Sequence, residues 1–158
     1  MQRLRANRGF SLIELLVVVS IILIIGAVAI PHFLQARIRA NEAATVANIR
    51  TVVSAQAIYN MMYPQIGFAP DIASMTGSNI SPLPGAAGLI DGSLAVAGHG
   101  YLLTVTPKQK DAMNVGYHVF GHPTLRGVTG VRSFCADESG IITFSDDGTD
   151  NCSTPVPF

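Results

Sequence analysis

The sequence predicts an α+β fold: a long N-terminal helix, membrane-spanning in its first half, packed through its second half on a small antiparallel sheet. Three observations carry this reading. Phe10 to Ile30 contains a single charged residue, Glu14, and Leu15 to Ala36 is a run of 22 residues without Asp, Glu, Lys or Arg. Past that run, apolar residues recur every three or four positions as far as Met61. After residue 98 the pattern changes to short β-branched and aromatic stretches separated by turn residues.

Composition sets the outer limits. A chain of 158 residues fits one domain, and its charged fraction of 13% is well below the roughly 25% of an ordinary soluble domain. So apolar a chain excludes long disorder. Ten basic against ten acidic residues exclude a uniformly basic nucleic-acid binder, so no specific nucleic-acid partner is expected. The balance conceals an asymmetry: residues 1–60 hold six arginines and two acids, Glu14 and Glu42, whereas residues 61–158 hold four bases and eight acids.

Taken in order, residues 1–9 carry Arg3, Arg5 and Arg8 and no acid. As a helix the uncharged run that follows is about 33 Å long, enough to cross a bilayer core once. The preceding arginines keep the N-terminus in the cytoplasm and send the remainder outward. Nothing later in the sequence is long and apolar enough to cross again. A second reading is an ordinary secretory signal, with Ala27-Val28-Ala29 as its small-residue box and a soluble binding domain released after Ala29. Against it, the apolar run exceeds the usual 7 to 15 residues by a wide margin, Glu14 interrupts its start, and helical patterning continues through the cut.

Beyond Pro31, the residues Val46, Ile49, Val53, Ala57 and Met61 form the apolar positions of an amphipathic continuation, with Arg37, Arg39, Glu42, Asn48 and Arg50 between them. From Phe10 to about Met62 the helix would be roughly 80 Å long. Gly26 and Pro31 are its weak points, where bending or local melting is expected, and Tyr63-Pro64 with Gly67 ends it. Residues 64–98 are rich in Gly, Pro, Ser and Ala and read as a connector with at most short elements. Tyr101–Thr106, Tyr117–Phe120, Arg132–Ala136 and Ile141–Ser145 read as strands, the last two joined by a turn at Asp137-Glu138-Ser139-Gly140. A meander of these strands laid on the second half of the helix would bury both apolar faces.

Arg8-Gly9-Phe10-Ser11-Leu12-Ile13-Glu14-Leu15-Leu16-Val17 resembles the processing site of a type IV prepilin, shared by pilins and by the pseudopilins of type II secretion. The likeness is close over about the first 35 residues, and the later order of helix, loop and sheet agrees loosely; Gly130 to Phe134 with Asp137 and Gly140 to Ile142 is similar to the C-terminal hairpin of some pilin-like proteins. The resemblance implies a leader at 1–9, a membrane and fibre-core segment at 10–30, its amphipathic continuation at 31–63, the connector at 64–98 and a β region at 99–158. It implies cleavage by prepilin peptidase between Gly9 and Phe10, methylation of the new Phe10 amine, pairing of the Glu14 carboxylate with the amine of a neighbouring copy, and a helix kink at Pro31. The implied partners are identical subunits in a homopolymer, a cytoplasmic assembly ATPase and an inner-membrane platform protein, with membrane lipid before assembly. None of these roles is enzymatic. A type IV pilus and a type II secretion pseudopilus remain open as destinations, outside the cell or in the periplasm.

The physical reading of Glu14 runs beside this likeness. Fifteen large apolar side chains between Phe10 and Ile30, at about 1.5 to 3 kcal/mol each, supply roughly 20 to 45 kcal/mol for leaving water. One carboxylate costs only about 2.5 to 3.5 kcal/mol at mid-bilayer, and less near the edge. Membrane insertion therefore tolerates Glu14, which taken alone also fits a residue that simply ends the span at the headgroups. In a water-free fibre core an unpaired charge is far more costly, so a neighbour's amine would be needed there.

Cys135 and Cys152 fall on the exported side, where an oxidising compartment permits a disulfide, and they resemble the C-terminal disulfide loop of many pilins; two separate thiols are the alternative. Asp146, Asp147, Asp150 and Asn151 form an oxygen-rich tail of the kind that can hold calcium, as the C-terminal region of major pseudopilins does, but the spacing is not that of an EF-hand and a solvated acidic turn explains it too. No other cofactor is expected. His99, His118 and His122 lack any recognisable zinc spacing, and Arg126 with Arg132 reads as a solvated face rather than a DNA site. Phe10, Phe33, Tyr59 and Tyr63 at helical spacing read as packing rather than as an aromatic path.

Overall fold

Aliphatic residues dominate positions 12–62 with only single interruptions by glycine and proline, and the chain answers with one helix, α1, Leu12–Met62. The computed structural model describes residues 10–77, 82–95 and 99–156. Helical structure continues through Gly26 and Pro31, so the local melting expected there does not occur. Pro31 lacks the N–H that would reach the carbonyl of Ala27, and the loss of one such bond does not open the turn. Two units divide between Ala36 and Arg37.

In the first unit the described residues are exposed along almost their whole length; Leu12 is 81% and Ile24 69% accessible. Ser20, a polar residue within this apolar segment, donates its hydroxyl to the carbonyl of Leu16 at 2.8 Å and so satisfies itself within the helix.

The second unit, residues 37–156, contains the hydrophobic core. Its sheet is a meander in the order β1-β2-β3-β4-β5, every neighbouring pair antiparallel: β1 Tyr101–Lys110, β2 Met113–Pro123, β3 Ser133–Asp137, β4 Ile142–Ser145 and β5 Thr154–Pro155. Alternation along β1 buries Tyr101, Leu103 and Val105 and exposes Leu102, Thr104 and Thr106. Val119 of β2, Phe134 and Ala136 of β3 and Ile142 of β4 join them against Val46, Ile49, Val52, Ala55 and Tyr59 of α1. Gly121 of β2 lets the helix come close: a Cβ there would lie 3.0 Å from Thr45 Cγ2 and 3.3 Å from Ile49 Cδ1.

The buried face of α1 departs from the one expected. Val46 and Ile49 lie on it and Val53 is half-buried, but Ala57 and Met61 are exposed, and Val52, Ala55, Gln56 and Tyr59 take the inward positions. Steps of four residues overshoot a turn by about 40° each, so the series 49, 53, 57, 61 rotates away from the core. The steps 49, 52, 56, 59 stay on one side, at the cost of burying an amide.

That amide fastens the connector. Gln56 is 0% accessible, its Nε2 donates to the Ala69 carbonyl at 3.1 Å, and its Oε1 accepts from the Ala69 N–H at 2.8 Å. Tyr59 donates its hydroxyl to the Pro84 carbonyl at 2.6 Å. Asn114 of β2 binds the same stretch from the other side, its side chain donating to Phe68 O at 2.7 Å while its backbone exchanges bonds with Ile66 and Phe68. Among its described residues the connector forms α2, Ile72–Met75, capped by Asp71, and a 3-10 turn, Gly92–Ala95.

Candidate assembly surface

Glu14 is the third residue of α1, in the first turn, where backbone N–H groups lack carbonyl partners and the helix dipole favours negative charge. The Leu15 N–H reaches the Ser11 carbonyl at 3.2 Å, so Ser11 stands just before the helix, and Ser11-Leu12-Ile13-Glu14 has the S-x-x-E spacing of a helix start. This spacing was open to sequence reasoning, which used Glu14 only as a charge. Its carboxylate is exposed and has no ion-pair or hydrogen-bond partner among the described residues. Phe10, 74% accessible, lies two residues before the helix, and Pro31 is exposed on it. Gly9, with Arg3, Arg5 and Arg8, lies outside the described residues.

The chemistry this segment permits is narrow. It has an apolar surface on every side and one carboxylate close to the position that a cut before Phe10 would convert into an amine. Water is a poor environment for the first feature, and hydrocarbon or a dry protein core a poor one for the second unless a cation answers it. Among the described residues, no acid, base and nucleophile converge on it.

The other candidate residues lie in the second unit. Cys135 of β3 and Cys152 form a disulfide, with Cα atoms 5.9 Å apart, and tie the C-terminal segment to the sheet. Ser133 strengthens that tie by donating its hydroxyl to the Thr149 carbonyl. The acidic tail is spread over separate partners. Asp146 accepts from Arg132 Nε at 3.0 Å, Asp147 accepts from the hydroxyls of Ser145 and Thr149 and from the Thr149 N–H, and Asp150 meets His122 Nε2 at 3.1 Å. The Asn151 N–H donates to the Thr149 hydroxyl. Among the described residues, no three His, Cys, Asp or Glu side chains converge as a metal site; Asp147 closes its own turn, while Asp146 and Asp150 face Arg132 and His122. The hydroxyl of Ser145, then the hydroxyl and the N–H of Thr149, hold the Asp147 carboxyl down to about 2.

His118 and His122 do share the outer face of β2, with Phe120 stacked between them at 5.9 and 6.1 Å, whereas His99 stands apart with a left-handed φ of 55°. Arg126 donates to the Asp146 carbonyl at 2.8 Å, and Arg132 also covers the Phe144 ring at 4.8 Å, so both guanidinium groups serve the head itself. Tyr59 and Tyr63 pack on one another, ring centroids 4.8 Å apart, while Phe33 is exposed.

Comparison with known proteins bears on the first unit most directly. The family described as the prokaryotic N-terminal methylation motif matches residues 4–30. The chain is 36% identical over 86 residues to the type IV major pilin protein PilA of Myxococcus xanthus, covering 50% of this chain and 39% of that one. It is 45% identical over 58 residues to the type IV wide pilus major component PilA4 of Thermus thermophilus, covering 37% of this chain and 44% of that one. The matches thus span less than half the length of these curated relatives. No solved structure matches the chain. The sequence therefore carries the N-terminal methylation motif and is homologous to type IV major pilins.

Proposed function

We propose that this chain is the structural subunit of a type IV pilus-like helical filament. It is made as a single-pass precursor in the inner membrane, with residues 1–9 cytoplasmic and the head in the periplasm. Prepilin peptidase cuts between Gly9 and Phe10 and methylates the new amine. The subunit is then drawn from the bilayer by the platform protein and the cytoplasmic ATPase, and polymerises with identical copies through residues 10–30. The chain is a building block and performs no catalysis.

One observation carries this reading: an apolar helical surface left bare on every side, with a lone carboxylate in its first turn, in a segment matching the methylation motif. Lipid accepts such a surface in the monomer. Outside lipid only copies of itself can cover it all round, and Glu14 then needs a cation, which the amine of a neighbouring Phe10 supplies. Pro31 lies near the exported end of this segment, where a helix lacking one bond can adjust its path between the bilayer and the fibre. The names of the two relatives favour a pilus over a secretion pseudopilus.

The test is the mass and N-terminal sequence of the mature chain. A product beginning at methylated Phe10 is expected, and Gly9→Val should leave an uncut, membrane-held precursor. A mature chain beginning at Ile30 would mean secretion by an ordinary signal and would sink the proposal.

A further inference from the structure

The two ends of the sheet lie at different levels along α1. At one end Asn41 donates its side-chain amide to the Thr129 carbonyl at 2.8 Å, and the Glu42 carboxylate accepts from the N–H groups of Val131 and Arg132 at 3.0 and 3.2 Å. At the other end a Cβ on Gly140, in the β3–β4 turn, would lie 3.9 Å from Val53, and Asn114, beside the β1–β2 turn, grips the same stretch of connector as Gln56. The β2–β3 connection, residues 124–132, therefore stands at the end of the sheet toward Arg37, the residue that follows directly on the uncharged run.

That connection turns apolar side chains outward and backbone donors inward. Leu125 and Val128, 62% and 63% accessible, close a single turn in which the Val128 N–H reaches the Leu125 carbonyl at 3.1 Å. The other N–H groups around the turn are also engaged: that of Leu125 by the Thr129 hydroxyl at 3.1 Å, that of Gly127 by the Gly130 carbonyl at 2.7 Å, that of Thr129 by the Leu125 carbonyl at 2.9 Å, and those of Val131 and Arg132 by Glu42. Residues 124–132 contain no acid, and Arg126 folds its guanidinium back onto the Asp146 carbonyl at 2.8 Å. Of the acids nearby, Glu42 is occupied with the loop, Asp146 with Arg132 and Asp147 with Thr149. Irregular chain of this kind enters a poorly hydrated layer at low cost, because few donors are left unpaired when water is removed.

The uncharged run of 22 residues matches the thickness of a hydrocarbon core. Asn41 lies about 8 Å further along the helix. The headgroup layer on each side of a bilayer is itself about 5 to 8 Å thick. Arg37 and Arg39, exposed and without an ion-pair partner among the described residues, fall within that layer.

We propose that the Leu125–Val128 turn seats in the lipid surface on the exported side, its two aliphatic side chains among the uppermost acyl chains and Arg37 and Arg39 at the headgroup phosphates. A subunit still in the membrane is then held at two places, by its span and by the base of its head, and both must be released before assembly. The proposal rests on the membrane-inserted reading of residues 10–30.

The sequence contains no tryptophan, so a single introduced one reports on its own surroundings. The full chain is reconstituted into vesicles of phosphatidylcholine and phosphatidylglycerol, with or without bromine on the acyl chains, as Leu125→Trp, Val128→Trp, Val115→Trp or Ile22→Trp. Val115 is exposed near the opposite end of the sheet, and Ile22 is exposed in the middle of the apolar segment. Tryptophan at 125 and at 128 should emit at shorter wavelength than at 115 and lose most of its emission to bromine placed high on the acyl chains. Tryptophan at 115 should lose almost none, and at 22 it should be quenched by bromine placed deep. Adding Leu125→Ser to Val128→Trp should relieve the quenching while the head melts as before. If 125 and 128 are quenched no more than 115 while 22 is quenched, the proposal falls and the membrane reading stands. Short-wavelength emission at 125 and 128 without quenching would mean that protein, a second copy, covers the turn, and would overturn the proposal equally. An unquenched Ile22→Trp would bring down the membrane reading and this proposal with it.

Discussion

One helix is used in two opposite ways. Between Leu12 and Ala36 its surface is apolar on almost every side and none of the described residues covers it; between Arg37 and Met62 it buries a stripe running from Val46 to Tyr59 and exposes Arg37, Arg39, Arg50 and Ser54. The second half is specified from within, because each inward residue has a neighbour on the sheet or the connector. The first half has no such neighbours among the described residues, and on the proposed reading its arrangement is set by lipid or by other copies. Stability of the head and competence to assemble should therefore be separable properties, each open to attack without the other.

The largest separation is expected at Glu14. In Glu14→Ala the apolar segment loses its one charge and still inserts, while assembly loses the group that answers a neighbour's amine. Filament yield should fall to near zero, with unchanged membrane-held subunit and unchanged thermal melting of the head. Equal yields of mutant and wild-type filament would show that the two halves differ in composition only, with no assembly role for the carboxylate.

The reverse dissection acts on the head. Replacing Cys135 and Cys152 by serine opens a loop of 17 residues' separation, worth about 3 kcal/mol through the freedom it restores to the unfolded chain. Melting should drop while insertion and processing continue. A head that melts identically with and without reductant would mean that Ser133, Arg126 and Arg132 suffice to hold the C-terminal segment. Smaller again is Gln56→Leu, which keeps the volume but leaves both backbone groups of Ala69 buried without partners, a cost of about 1 to 3 kcal/mol. Proteolysis within 64–95 that stays as slow as in wild type would show that the connector does not depend on this clamp.

The two halves also differed in how far their residues announced them. In the first half the information is compositional: an unbroken uncharged run, a single acid and three arginines before it are visible without any contact. In the second half, period and turn chemistry located α1 and four strands, because alternation such as Tyr101, Leu103, Val105 reports a half-buried sheet directly. What stayed hidden depends on contacts distant in sequence. Gln56 reads as a surface residue until Ala69 is beside it. The extension of β1 through Pro107 to Lys110 was obscured by the proline, which this strand tolerates because β1 is an edge of the sheet. The tight turn uses Asp111 and Ala112, φ 51° and 66°, in place of the glycine-bearing pair that marks such turns. β5 is two residues long and is held by Val156 donating to Ile142 and by the nearby disulfide, neither of which leaves a local pattern. The tail carboxylates looked like one cluster in sequence and are spread by the sheet onto separate donors.

The finest test of the contrast is acid. The Ser145 hydroxyl, followed by Thr149, holds the Asp147 carboxyl at about 2, below its ordinary 3.8, and the Ser139 hydroxyl lowers that of Asp137. A carboxyl whose folded-state value is depressed stabilises the head above its unfolded value and gives that stability up as pH falls toward the folded one. The head's melting temperature should thus be flat above about pH 4 and decline between about pH 4 and 2, and Asp147→Asn should shallow that decline. Both carboxyls are largely solvated, so the change should be the smallest of the four. Both also lie in turns of the head, and the described residues 10–36 contain no comparable carboxyl with hydroxyl donors around it. An acid decline of equal slope in Asp147→Asn would move the sensitive group elsewhere in the head, toward Asp137 or Glu138 with its Lys108 partner.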